Sequence, residues 1–389
     1  MSPIASFLLF LAVSSTLVGG WHYYLWHRLV KRTSLAGPWR SAVSIAIVTL
    51  AVALPVCLAL GRSLRLVWMR PLLAAVYSWM AAAFLILVAL LLGDLLRLAG
   101  WTVRKLTKTA PLDEERRRAL SRLIGGTAAM VGLGGTGYGI TVALGPIGVE
   151  RLKIKLPKLP KSLKGTTIVQ LTDLHVGPTL RRNYVQSVVD QVNALSPDIV
   201  AITGDLVDGK PSELLAEVAP LRDLRTRYGV FFVTGNHEYY AGVAAWMDAL
   251  AGLGVRVLRN ERVTIGTPDA AFDLAGVDDY SSGHRDGGHG SDVAGALAGR
   301  DLDREVVLLA HQPRSIWEAA KHGVSLQLSG HTHGGQVFPW TLFVLLQQPF
   351  VTGLHKVGDT LLYVSRGTGF WGPPVRLGAP PEITLIELE

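Results

Sequence analysis

Apolar positions run without an ionised side chain over residues 4–26, 41–60 and 72–92. Each run is close to the ~20 helical residues needed to cross a hydrocarbon core. A fourth uncharged run, 123–145, carries eight glycines in its last 21 residues. Glycine is commoner in membrane helices than in soluble ones. Buried core helices would give similar runs singly, but four within 145 residues predict an all-α transmembrane region of about four helices over residues 1–149.

Past residue 150 the period changes. "RLKIKLPKLPKSLKG" (151–165) alternates and is rich in Lys and Pro. Residues 150–165 therefore read as a linker leading into an edge strand. Short apolar runs then alternate with helical stretches. Strands are predicted at "TTIVQLTD", "DIVAITGD", "GVFFVTGN", "AFDLAGVD", "EVVLLAHQ", "SLQLSGH", "TLLYVSRG" and "EITLIEL". Helices are predicted over 181–195, 214–226, 243–253 and 314–321. Buried Val/Ile/Leu strands between helices place residues 166–389 in the α/β class. Residues 278–292 form a polar, Gly-rich loop, and no internal repeat is visible.

Composition sharpens the picture. The 389 residues suffice for two domains, and the mean hydropathy of +0.33 comes mainly from the N-terminal third. The single cysteine, Cys57, excludes an intrachain disulfide framework and a cysteine-based zinc site. The net charge of +8 could suit nucleic acid, but Lys and Arg cluster beside the apolar runs, as membrane flanks do. The loops after the first and third runs hold twelve basic residues; the second loop and the flank after the fourth run hold nine. Positive-inside logic then puts the first and third loops in the cytoplasm and the region after residue 150 outside. "RRRALSRLIGGTAAMVG", paired arginines before a mild apolar stretch, resembles a twin-arginine export signal and agrees.

The chemistry stands where strands end. Asp173 and His175 follow the first strand, Asp205 the second, Asn236 and His237 the third. His311 follows "VVLLA", and His331 and His333 follow "LQLSG". In open α/β sheets ligands bind at that edge. An Asp and a His after one strand are often only a cap and a core histidine. Two histidines one residue apart in a glycine turn, "GHTH", have little packing rationale. Together the positions supply two carboxylates, an amide oxygen and four imidazoles, with His237 beside them. One metal would be over-supplied; two, sharing a carboxylate, would use the set. Mixed O/N ligation without thiolate suits Mn²⁺, Fe or Zn²⁺ better than Ca²⁺. A water bridging two such ions would be a nucleophile near neutral pH.

Residues 166–389 resemble the calcineurin-like metallophosphoesterase superfamily. "VQLTDLHVGP" and "SRGTGFWGPPVRLGAPPEITLIEL" look most like its YkuE/YaeI-type bacterial branch, which includes enzymes acting on UDP-2,3-diacylglucosamine. The resemblance covers none of the membrane region. It implies a four-layer α/β/β/α sandwich and two divalent metal ions, their identity open among Mn, Fe and Zn. It also implies that Asp173, His175 and His333 hold one ion, that Asn236, His311 and His331 hold the other, and that Asp205 bridges. His237 matches a non-ligand histidine that protonates the leaving group or stabilises the transition state. Many relatives carry an acidic residue where Arg314 stands, which bears on the substrate mouth.

The expected activity is metal-dependent hydrolysis of a phosphoester, a diester or pyrophosphate that could be lipid-linked, by a protein anchored in a bacterial cytoplasmic membrane. A cytoplasm-facing UDP-2,3-diacylglucosamine-type hydrolase and a non-catalytic membrane sensor are the alternatives. No basic-aromatic platform for nucleic acid is present in the catalytic domain. His284 and His289 read as solvated loop histidines. "FPWTLFVLLQQPF" (338–350) reads first as a buried strand or helix, and second as an exposed loop dipping into the bilayer.

Overall fold

A computed structural model describes residues 3–63, 69–284 and 287–389. Arg65, one of the basic residues counted in the second loop, and residues 285 and 286 of the polar loop lie outside these. The chain divides into two compact units: Met1–Thr141 with Gly372–Val375, and Val142–Trp371 with Arg376–Glu389.

The first unit is built from α1 (Pro3–Trp26), α2 (Gly37–Ser63), α3 (Arg70–Leu106) and α4 (Glu114–Ala143). Two of these, α2 over Gly37–Cys57 and the whole of α3, are long and apolar enough to cross a membrane, with mean hydropathies of 1.9 and 2.4. Apolar side chains of all four helices are exposed, among them Leu17 of α1, Ile45 of α2, Leu96 of α3 and Met130 of α4. Where helices do meet, small residues admit it. A Cβ on Gly132 of α4 would overlap Ile86 of α3. Asp94 of α3 pairs with Arg28 and accepts from Tyr24 Oη at 2.7 Å.

The second unit is a sandwich of two mixed six-stranded sheets. The first contains β1 (Gly148–Ile154), β2 (Thr167–Leu171), β3 (Ile199–Ile202), β4 (Gly229–Phe232), β5 (Val255–Val257) and β12 (Glu382–Leu388), in the order β1-β12-β2-β3-β4-β5. The second contains β6 (Glu261–Thr267), β7 (Ala270–Gly276), β8 (Val306–Leu309), β9 (Leu326–Ser329), β10 (Gly353–Val357) and β11 (Thr360–Val364), in the order β10-β11-β9-β8-β7-β6. Strands β2 to β5 are mutually parallel, as are β7, β8, β9 and β11. Alternation assigns the faces. Ile168, Ile199 and Phe231 meet Leu274, Val307 and Leu326 between the sheets. Val169, Leu171 and Val200 turn the other way, onto Val185 and Val189 of α5 (Arg182–Ala194) and Trp246 of α8 (Val243–Ala251). On the far side, Val306 and Leu308 pack on Ile316 and Ala319 of α10 (Ile316–Lys321). Each fully buried Val or Leu contributes about 1.5–3 kcal/mol, so the two sheets are held face to face mainly by this apolar layer.

Three departures from the sequence reading have local causes. Residues 148–154, partly taken into the linker, are the edge strand β1, paired parallel to β12 with Arg151 and Lys153 exposed. The helix expected over 214–226 is α6 (Pro211–Val218) followed by a 3-10 turn, because Pro220 cannot continue an α-helix. Residues 338–350 are not a buried element. They form the short helix α11 (Thr341–Val344) within a loop. Phe338, Trp340, Leu342, Phe343, Leu345 and Leu346 are about half exposed or more, Leu346 at 82%.

Candidate metal centre

The parallel strands deliver their C-terminal ends to one rim of the sandwich. Asp173 and His175 follow β2, and Asp205 follows β3. Asn236 and His237 open α7 (Asn236–Ala241) after β4. His311 follows β8, and His331 and His333 follow β9. Cross-sheet bonds align the two halves. Gln170 Nε2 donates to the Ser329 carbonyl at 3.0 Å, and the backbone N–H of His331 donates to both Asp173 oxygens, at 3.2 and 3.0 Å.

The backbone is strained here. Asp173, His175, Asp205, His331 and His333 have φ between 47° and 70°, a left-handed conformation that residues with a Cβ seldom adopt. They are half of the ten such non-glycine residues described. Glycines admit the crowding. A Cβ on Gly235 would overlap Asp205, and one on Gly330 would overlap Thr172 and Asp173.

Three groups of donors result; one, His175 with Asp208 and His237, lies on the outer side of His175, and the other two form the centre. Asp173, His175 and His333 offer atoms all within 4.8 Å of one another, as do Asp205, His311 and His331. His175 Nε2 faces His333 Nε2 at 3.1 Å, and His311 Nε2 faces His331 Nδ1 at 3.2 Å. Asp205 Oδ2 lies 3.1 Å from His311 Nε2 and 3.9 Å from His175 Nε2, so it belongs to both sides. The far nitrogens of two rings are engaged: His175 Nδ1 with Asp208 Oδ1 at 2.9 Å, and His311 Nδ1 with the Thr203 carbonyl at 2.8 Å. Donation from those nitrogens leaves each Nε2 as a lone pair aimed at the cluster. Asn236 Oδ1 is buried with no hydrogen-bond partner.

Ring nitrogens facing one another at 3.1 and 3.2 Å, two buried carboxylates and an orphaned amide oxygen form a donor set that a cation or a shared proton would satisfy. A proton can supply part of it. Burial pulls His311 down, yet Asp205 holds it well above the usual histidine range. Burial and the charge of His311 push His331 down to about 4. Burial would raise Asp205, but His311, His237 and His175 hold it well below the usual carboxylate range. Metal ions compete for the same sites with those protons. The donor set fits two cations that share Asp205.

His237 stands just outside. Its Nδ1 is 2.7 Å from Asp208 Oδ1 and its Nε2 3.9 Å from Asp205 Oδ2. Burial lowers its basicity, but Asp205 and Asp208 outweigh that and raise it to about 9. Tyr240 and Trp371, both more than half exposed, set their rings 5.3 and 6.0 Å from the imidazole.

Three supporting residues escaped the sequence reading. Asp208 holds the Nδ1 edges of both His175 and His237; its one signal was its place three residues after Asp205. Glu238, fully buried, accepts from the backbone N–H groups of Asp205, Leu206 and Gly235 at 2.7–3.0 Å and ties the β3 and β4 loops together. Arg376, also fully buried, donates to the carbonyls of His333, Arg366, Gly367, Gly369 and Ala379 and stands 3.3 Å from His333 Nδ1. Arg314 stands over the Tyr280 ring and donates to the Gln347 carbonyl. His284 and His289 are in neither cluster; His289 Nδ1 is 3.7 Å from Asp278.

A family profile for calcineurin-like phosphoesterases matches residues 166–335. The uncharacterized metallophosphoesterase Cj0846 of Campylobacter jejuni is 34% identical over 387 residues, 98% of this chain and 99% of its own. The uncharacterized metallophosphoesterase YkuE of Bacillus subtilis is 31% identical over 285 residues, 70% of this chain and 97% of its own. A transmembrane protein with metallophosphoesterase domain from Danio rerio is 42% identical over 260 residues, 65% of this chain; the match spans 60% of that longer protein. With the strand-end Asp and His residues, the two-sheet sandwich and a match spanning 98% of the chain to a bacterial relative, the chain belongs to the calcineurin-like metallophosphoesterase family.

Proposed function

We propose that the protein is a membrane-anchored phosphoesterase with two metal ions, acting on a phosphodiester or pyrophosphate. The observation that carries this reading is the pair of donor clusters joined through Asp205. In this reading Asp173, His175 and His333 hold one ion, Asn236, His311 and His331 the other, and Asp205 both. Two such ions supply Lewis-acid charge to a phosphoryl group and activate water near neutral pH. The chain's own residues do the rest. Glu238 and Arg376 fix the loops that carry the donors. Asp208 accepts from His237 Nδ1, which leaves Nε2 facing the cluster. A proton held at Nε2 is placed to pass to the departing ester oxygen.

Residues 1–149 would be the membrane region, with α1 and α4 as further spans beside α2 and α3. Residues 166–389 would be the catalytic domain, facing away from the cytoplasm. The basic-residue excess in the first and third loops supports that side; the six Lys and Arg between 151 and 164 weigh against it.

The test is elemental analysis with an activity assay on the full chain in detergent. About two equivalents of transition metal and hydrolysis of an aryl phosphodiester are expected. Asp205→Asn should lower metal content and rate together. Active protein with only trace metal would overturn the reading.

A further inference from the structure

The apolar segment after the His331–His333 turn has no part in the chemistry above, yet it adjoins the site. From Val337 to Gly353 there is no charged residue. Six large apolar side chains of this stretch are exposed, and Trp340 and Phe343 pair their rings at 5.1 Å. Exposed apolar surface of this extent marks an interaction site.

Its position names the partner. Gln336, just before the segment, holds both backbone groups of Trp371: Nε2 donates to the Trp371 carbonyl at 2.9 Å, and Oε1 accepts from its N–H at 3.0 Å. Trp371 in turn faces the His237 ring. Its neighbour Phe370 packs with Leu180 and Ala143, the final residue of α4. Within the second unit, then, the segment, the site mouth and Ala143, near that unit's first residue, are linked through Gln336, Trp371 and Phe370. Exposed Trp, Phe and Leu without charge is the composition that settles at the boundary between headgroups and acyl chains.

We infer that residues 338–346 and Trp371 form a rim that rests in the bilayer surface, and that the substrate is an amphiphilic phosphoester presented from that surface. The inference rests on the phosphoesterase reading for its substrate, but not for its membrane contact. The rim lets the hydrocarbon part of the substrate stay in lipid while its phosphoester reaches His237.

The full chain serves for the test, because Cys57 is its only cysteine. In a Cys57→Ser background, a nitroxide is placed at Leu346→Cys, and separately at Asp301→Cys as a water-exposed control. The protein is held in nanodiscs of phosphatidylglycerol and phosphatidylethanolamine. The label at 346 should be more accessible to oxygen than to a nickel chelate, and the control the reverse. Hydrolysis of hexadecyl p-nitrophenyl phosphate in the same discs is then compared with that of the soluble methyl ester. Leu346→Glu should lower the ratio of the two rates about tenfold, the share of one large buried apolar side chain. A label at 346 that reads as water, or one broadened by a second label as in a dimer of two copies, overturns the proposal. So does an unchanged ratio. If the label reads as lipid but neither ester is cleaved, the membrane rim stands and the phosphoesterase reading falls.

Discussion

At the scale of single residues, the site separates those that would bind metal from those that would move a proton. His237 sits beside the two clusters that share Asp205 and is held by Asp208, with which it and His175 form a third group of donors. His237→Ala should keep metal content while the rate falls by ~10²–10⁴, the usual scale for a general acid. Asp208→Ala should do both kinds of damage, because Asp208 also orients His175. Losing such a supporting partner typically costs 10–100-fold in metal affinity. Metal titration of the two variants separates them; a His237→Ala protein that loses its metal would make His237 a ligand. The candidate ligands were legible because each follows an apolar run directly. Asp208 and Arg376 were not. A lone Asp in a loop and a lone Arg among prolines reveal nothing until folding sets them against residues 33 and 43 positions away.

Among the elements, the turns after β3, β4 and β9 work by close approach of backbone to side chain. Gly330→Ala would drive a Cβ into Thr172 and Asp173. Overpacking of this kind typically costs ~1–3 kcal/mol, and here it would also displace a donor. The parent chain should lose thermal stability when a chelator removes its metals, since bound ligand favours the folded state. Gly330→Ala should start lower and lose less. An equal loss on chelation would show that the turn does not govern binding. The same scale shows what periodicity could reach. The eight strands read from sequence are the inner strands of the two sheets, buried on both faces and rich in Val, Ile and Leu. The four not read as full strands, β1, β5, β6 and β10, are the four sheet edges. Edge strands are half exposed and carry charge, as protection against stray pairing, and so look like loop. The segment at 338–350 misleads the other way: its apolar residues predict burial, but six of its large apolar side chains are exposed.

At the scale of the molecule, the membrane-anchored reading proposed above places the second unit on one of two sides. The loop charges favour the outside. Protease added to intact cells, or to spheroplasts where an outer membrane intervenes, should then release the catalytic unit from its anchor. Protection there with cleavage in inverted vesicles would reverse the orientation. It would also move a cytoplasmic nucleotide-linked lipid precursor to first place among substrates.

The order of strands has a consequence for biosynthesis. β12 lies between β1 and β2, so neither gains its partner on that side until residue 388 has been made. At about 5–20 residues per second, the ribosome needs roughly 12–50 s to travel from Gly148 to Leu388. Throughout that interval β1 is a nascent strand without its sheet partner, and in the membrane-anchored reading it would follow helices already engaging the insertion machinery. Its exposed Arg151 and Lys153 would keep it in solution meanwhile. A pathway that carries only finished folds must wait for the whole polypeptide, whereas one that threads extended chain could begin at once and leave the sheet to close on the far side.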